Sequence, residues 1–176
     1  MTRASVRPKR LSSSGGFTFI EIMIIVALMG VMSLAIYPAI NNALRTRTFD
    51  NSAKDILTTM QRAKLMAVRT KISHRIRFLQ RSNTWYYLIE EERADGTWNR
   101  VAGVIEKSIP PDFATTISLP AQAVTFSSLG YVSDYTANMN DVTLQSEKLR
   151  GGGQDDQRIV SVYAGGSVHY ARARSG

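Results

Sequence analysis

GGFTFIEIMIIVALMGVMSLAIYPAI, residues 15–40, is long and apolar enough to live in a bilayer, yet it carries one charge, Glu21. From Phe17 to Ile40 a helix would extend about 36 Å, and a hydrocarbon core is roughly 30 Å thick. A secretory signal fits poorly: its apolar core is usually about 7–15 residues and precedes a small-residue cleavage site. Here the run is longer, and the small residues Gly15 and Gly16 come before it. A lone ionised carboxylate near hydrocarbon costs on the order of several kcal/mol unless it is paired. Cleavage after Gly16 would supply a partner, the new α-amine of Phe17, at the same depth and near the positive end of the helix dipole. Between neighbouring helices such a pair would fix axial register. The alternative is a plain signal anchor whose Glu21 reaches up to the headgroups.

The flank on the N-terminal side is basic, then rich in serine and glycine. Residues 1–16 hold Arg3, Arg7, Lys9 and Arg10 and no acid, with too little apolar surface to fold alone. Positive charge ahead of an apolar helix keeps the N-terminus in the cytoplasm and sends the C-terminal body outside. The formal charge of the chain is +8, but without this segment 18 basic residues face 14 acidic ones. Half of the excess therefore belongs to the leader, which weakens a nucleic-acid reading of the whole chain. Cysteine is absent, so disulfides, thiolate metal sites and a cysteine nucleophile are excluded.

Gly16-Phe17-Thr18-Phe19-Ile20-Glu21 behind a short basic leader resembles the class III signal of type IV prepilins and pseudopilins. That resemblance implies cleavage between Gly16 and Phe17 by a prepilin peptidase, N-methylation of Phe17, and a role for Glu21 in leaving the bilayer and joining a helical filament. Pro38 falls where many pilins carry a helix-kinking proline. The implied organisation is a leader (1–16), a transmembrane and filament-core helix (17–40), an amphipathic continuation of the helix (41–72) and a periplasmic β-rich domain (73–176).

The pattern beyond residue 40 agrees with that division. Ile56, Met60, Ala63 and Ala67 recur at spacings of four, three and four, with Leu57 and Val68 beside them. Lys54, Asp55, Arg62, Lys64 and Arg69 form the polar side, which predicts a helix with one buried face. From about Ser73 the signal turns strand-like. Arg75–Phe78 alternates charged and apolar residues, and Trp85–Ile89 follows a turn at Ser82-Asn83. Asp95-Gly96 marks a hairpin before Trp98. Further strands are predicted at Arg100–Glu106, Ala123–Phe126, Val142–Gln145, Arg158–Tyr163 and Ser167–Ala171, with loops at Pro110-Pro111 and Gly151–Gly153. The fold class is α+β: a long N-terminal hydrophobic helix, pilin-like, packed against a mainly antiparallel C-terminal sheet.

Two C-terminal stretches sharpen the resemblance. Val124-Thr125-Phe126-Ser127-Ser128-Leu129-Gly130 and Arg158-Ile159-Val160-Ser161-Val162-Tyr163-Ala164-Gly165-Gly166-Ser167-Val168 are similar to the GspH/FimT group of minor pilins and pseudopilins. That group often has arginine after the hairpin glycine, where this chain has Ser167. The resemblance implies a structural subunit whose partners are prepilin peptidase, the inner membrane before assembly, other pilin or pseudopilin subunits, and a secreted protein or DNA.

No catalytic constellation is legible, so no enzyme, cofactor or metal is expected. No serine has a nucleophile-elbow context. Glu90-Glu91-Glu92 alternate faces on an extended chain and read as a hydrated edge. Asp155-Asp156 lack a calcium-loop pattern, and His74 and His169 read as surface strand residues. Arg172 and Arg174, at alternate positions near Tyr170, are candidate DNA contacts through phosphate pairing and base stacking. Some FimT-like minor pilins bind DNA through a basic C-terminal motif during natural transformation, so the resemblance implies DNA uptake as the alternative function.

Overall fold

The computed structural model describes residues 16–175, with the side chains of residues 34–39 outside that description. The expected leader, residues 1–16, therefore lies outside the described residues except for Gly16. One helix, α1, runs Phe19–Thr70 and is continuous through Pro38. The chain divides into two compact units with the boundary after Ala43.

In the first unit the described side chains from Phe19 to Ser33 are exposed, Ile25 alone being intermediate. Ile20, Val26, Met29 and Val31 each leave more than half of their surface open. A helix that is apolar on all sides is stable only when other helices or lipid cover it. Among the described residues no helix is long and apolar enough to cross a membrane. The fully described apolar run ends at Ser33, whereas a span needs about 20 residues.

The second unit pairs the rest of α1 with two antiparallel sheets. Phe49, Ala53, Ile56, Met60, Ala63 and Ala67 are completely buried and form one stripe at spacings of four and three. Three of the six are alanines, so the backbone of the helix can lie close to the strands.

The first sheet contains β1 (His74–Arg81), β2 (Thr84–Glu92), β3 (Trp98–Arg100), β4 (Lys107–Ser108) and β6 (Ala123–Phe126). Its order is β3-β2-β1-β6, and β4 pairs with β2 beside β3. A two-residue turn joins β1 to β2, with Ser82 and Asn83 both at positive φ, which matches the twist of the flanking strands. At the expected Asp95-Gly96 turn the Asp95 carboxylate accepts both the N–H and the hydroxyl of Thr97. Those bonds hold the Asp95 carboxyl below its ordinary pKa.

The second sheet contains β5 (Ala114–Ser118), β7 (Asp141–Gln145), β8 (Gln157–Val162) and β9 (Val168–Ala173), in the order β5-β7-β8-β9. A short helix, α2 (Glu147–Gly151), links β7 to β8. Inward residues alternate as a half-buried sheet requires: Val142 and Leu144 on β7, Val160 and Val162 on β8.

Three expectations are corrected. The strand predicted at Arg100–Glu106 ends at Arg100. Gly103 turns the chain at φ 73°, and the Arg100 guanidinium donates twice to the Val104 carbonyl at 3.1 Å, curling the segment back. His74 is fully buried because it shares strand parity with Ile76 and Phe78. Its Nδ1–H donates to the Ile72 carbonyl at 2.9 Å, while Nε2 has no hydrogen-bond partner among the described residues and lies 3.9 Å from Glu91. Glu90 is buried rather than hydrated: it accepts from Arg75 at 2.6 Å, with Arg77 at 3.7 Å, whereas Glu91 projects from the other face of β2.

Candidate functional site

The stretch Gly16–Glu21, where the sequence resemblance implies processing, lies at the start of α1. Gly16, Phe17 and Thr18 are non-helical and exposed, so the Gly16–Phe17 peptide stands outside the helix. Thr18 caps the helix, its hydroxyl and carbonyl accepting the Glu21 N–H at 3.3 and 3.1 Å. Threonine followed three residues later by glutamate is the sequence of a capping box, and Glu21 lies in the first turn, at the positive end of the helix. The Glu21 side chain is exposed among exposed apolar neighbours.

In the second unit two aspartates on α1 each hold one sheet. Asp55 serves the first: its carboxylate accepts from Tyr87 on β2 and from Lys107 on β4, both at 2.6 Å. Burial, then the hydrogen bond and charge of Asp55, push the Tyr87 hydroxyl far above its ordinary pKa, so it stays a neutral donor. Asp50 serves the second. Arg158 on β8, 2% exposed, donates to it at 2.6 Å. Tyr170 and Arg172 on β9 donate at 3.1 and 2.5 Å. Burial alone would raise the Asp50 pKa, but Arg158, Tyr170 and Arg172 outweigh it and hold the carboxyl below the usual range. The Arg158 guanidinium also lies 4.6 Å from the centre of the Phe49 ring.

Two of the three candidate DNA residues, Tyr170 and Arg172, are thus engaged with Asp50; the hydrogen bond from Arg172 to the Tyr170 hydroxyl at 3.2 Å, then the charge of Asp50, raise the Arg172 pKa. Arg174 is exposed. The end of the chain is fastened by Asp156, a fully buried carboxylate that accepts the Ser175 N–H at 2.8 Å and the Ser175 hydroxyl at 2.6 Å. Those bonds hold Asp156 far below the ordinary carboxylate range. His169 is exposed and packs edge-on against Tyr163. Among the described residues no group of three or more metal-ligating side chains gathers.

The two stretches that carry the GspH/FimT resemblance meet in space. Gly130 and Gly166 face each other so closely that a side chain on Gly166 would collide with the Gly130 carbonyl. Lys64 of α1 closes the junction by donating to the Gly166 carbonyl at 2.9 Å, and Val132 N–H donates to the Ala164 carbonyl.

A capped apolar helix start and, in the second unit, a helix clamped to two antiparallel sheets agree with the pilin-like α+β fold that the sequence resemblance implies. No protein-family model matches the chain, and no curated protein sequence matches it. Among solved structures, its fold is similar to the minor pseudopilin EpsH from the type 2 secretion system of Vibrio cholerae. The TM-score is 0.52 at 13% identity, covering 70% of this chain and 96% of that one. The type IV minor pilin FimU of Pseudomonas aeruginosa strain PAO1 matches with a TM-score of 0.49 at 17% identity, over 72% of this chain and 90% of that one. The likeness to EpsH shows a fold of the minor-pseudopilin kind, in agreement with what the sequence resemblance implies.

Proposed function

We propose that the chain is a minor subunit of a type II secretion pseudopilus or a type IV pilus. It is made as a precursor, cut between Gly16 and Phe17 by a prepilin peptidase, N-methylated at Phe17, and assembled at or near the filament tip. Before assembly, residues 17–40 hold it in the inner membrane with the sheet body in the periplasm. In the filament, Glu21 pairs with the Phe17 amine of a neighbouring subunit.

The observation that carries this reading is a helix exposing apolar side chains on every side behind a capped, non-helical Gly16–Phe17 bond. Such a surface requires lipid or other helices, and a filament core supplies the latter. Its role is structural, and the work of extrusion comes from elsewhere in the machine. The geometry favours this role over DNA capture, because Tyr170 and Arg172 are occupied within the body.

Mass spectrometry of the assembled protein is expected to give an N-terminus at methylated Phe17. Intact residues 1–16 in filaments would refute the assignment. Glu21→Ala is expected to reach the membrane but to enter filaments poorly, and normal incorporation would show that the carboxylate has another use.

A further inference from the structure

At one end of the body, the β1–β2 turn, the loop after Pro110 and the start of α2 enclose a groove of about 500 Å³. That volume lies in the range of small-molecule sites. Trp85 forms part of its wall, half-buried, with its inner side packed on the core. Gln80 lies directly across the strands from Trp85, and Asn83 projects from the turn between them. Asp112, Glu147 and Lys148 line the opposite side.

The walls are fixed by the backbone. Ile109 N–H donates to the Trp85 carbonyl at 2.8 Å, and Phe113 N–H donates to the Pro110 carbonyl at 3.2 Å. Phe113 in turn packs against the buried Phe49, the rings tilted with centroids 4.8 Å apart. A site held this way loses little freedom when a ligand enters. Among the described residues, no hydrogen bond or ion pair within the chain uses the side chains of Gln80, Asn83, Asp112, Glu147 or Lys148. Elsewhere in the body Arg75, Arg81, Lys107, Arg158 and Arg172 are paired.

The chemistry of the groove selects among ligands. Two carboxylates against one ammonium disfavour a polyanion such as nucleic acid. A peptide docking through apolar anchors needs a greasy pocket, and these walls are largely polar. A pyranose ring fits both halves of the site. Its C–H face can lie on the indole of Trp85, and its hydroxyls, each donor and acceptor, match amides and carboxylates that offer both functions.

We propose that this groove binds an uncharged oligosaccharide, with Trp85 as the stacking platform and Gln80, Asn83 and Asp112 as hydroxyl partners. The site goes beyond the filament role and does not depend on it.

The test uses the full-length chain in a zwitterionic detergent, because a sugar-headed detergent would itself compete. In a Trp98→Phe background, Trp85 fluorescence is titrated with cellohexaose and chitohexaose. A saturable change with at least one probe is expected. Gln80→Ala with Asn83→Gly, which keeps the turn, should weaken binding at least about tenfold without moving the thermal midpoint. Asp112→Ala should weaken it as well. No saturation with either probe, binding undiminished in these variants, or displacement of the sugar by a short DNA duplex would each overturn the assignment. The N-terminus of the protein recovered from assembled filaments, read separately by mass spectrometry, separates failure of this site from failure of the filament reading.

Discussion

Asp50→Ala isolates the contact that ties α1 to the second sheet. It removes the carboxylate shared by Arg158, Tyr170 and Arg172 and leaves the Arg158 guanidinium, 2% exposed, without its counter-charge. Breaking a buried pair from one side costs about 3–5 kcal/mol. The lower figure applies here. Arg158 keeps the carbonyls of Asp155 and Gln157, each at 2.9 Å, and Arg172 is half-exposed and can turn to water. For a body of this size, about 3 kcal/mol lowers the melting temperature by roughly 10–15 °C.

Two comparisons make the test specific. Asp55→Ala removes an ion pair with Lys107 whose members are both about two-fifths exposed, worth less than about 1 kcal/mol, and the acceptor of the buried Tyr87 hydroxyl, so its cost should be about 2 kcal/mol. Adding Arg158→Met to Asp50→Ala removes the stranded cation and should restore most of the lost stability. Thermal unfolding of the full chain by far-ultraviolet circular dichroism reads all three. Equal costs for Asp50→Ala and Asp55→Ala, or no recovery in the double variant, would refute the view that buried charge governs this junction.

Acid should act through the same groups. The carboxyls of Asp50 and Asp156 are both depressed in the folded chain, so each contributes stability that is complete above the ordinary carboxylate pKa of about 4 and is lost as pH falls through the folded value. The melting temperature should therefore drop below about pH 4, and less steeply for Asp50→Ala; identical slopes would exclude Asp50 as a source. Ser175→Ala removes the hydroxyl bond to Asp156 but keeps the N–H one, and should loosen the C-terminal residues, read as faster trimming by a carboxypeptidase; an unchanged rate would show that the hydroxyl does not hold them. Gly166→Ala forces a side chain into the Gly130 carbonyl at φ 74° and should cost about 2 kcal/mol or more. Gly165→Ala meets open space and should be near neutral, so equal effects would dismiss close approach as the cause.

Local periodicity made much of the body legible. The 56-60-63-67 spacing marked the buried helical stripe, which Phe49 and Ala53 extend by two more steps. Strand alternation and the Ser82-Asn83 and Asp95-Gly96 turns placed the β1–β2–β3 hairpins, and the strand predicted at Ala123–Phe126 coincides with β6. Strand β5 escaped notice because Ala-Thr-Thr-Ile-Ser offers a single large apolar residue after two prolines. Division into two sheets depends on which strands pair at long range, and alternation does not encode that.

The site divides in the same way. The stretch Gly16–Glu21 is contiguous, so a resemblance can be read there from residue types alone. Asp50 looks like one more polar residue on a helix, since its partners lie 108 to 122 positions away. A usable signal was nonetheless present. Arg158 shares parity with Val160 and Val162, so a buried arginine needing an acidic partner could have been inferred, as could the burial of His74. The Trp85 groove draws on three distant segments and leaves no local trace.

The two aspartates sit five residues apart on a single helical stretch, yet each grips a different sheet. Neither sheet can detach while that stretch stays wound, and unwinding it frees both at once. Slow amide hydrogen exchange in β2 and in β8 should therefore report one common opening event, with the body melting as a single cooperative foldon.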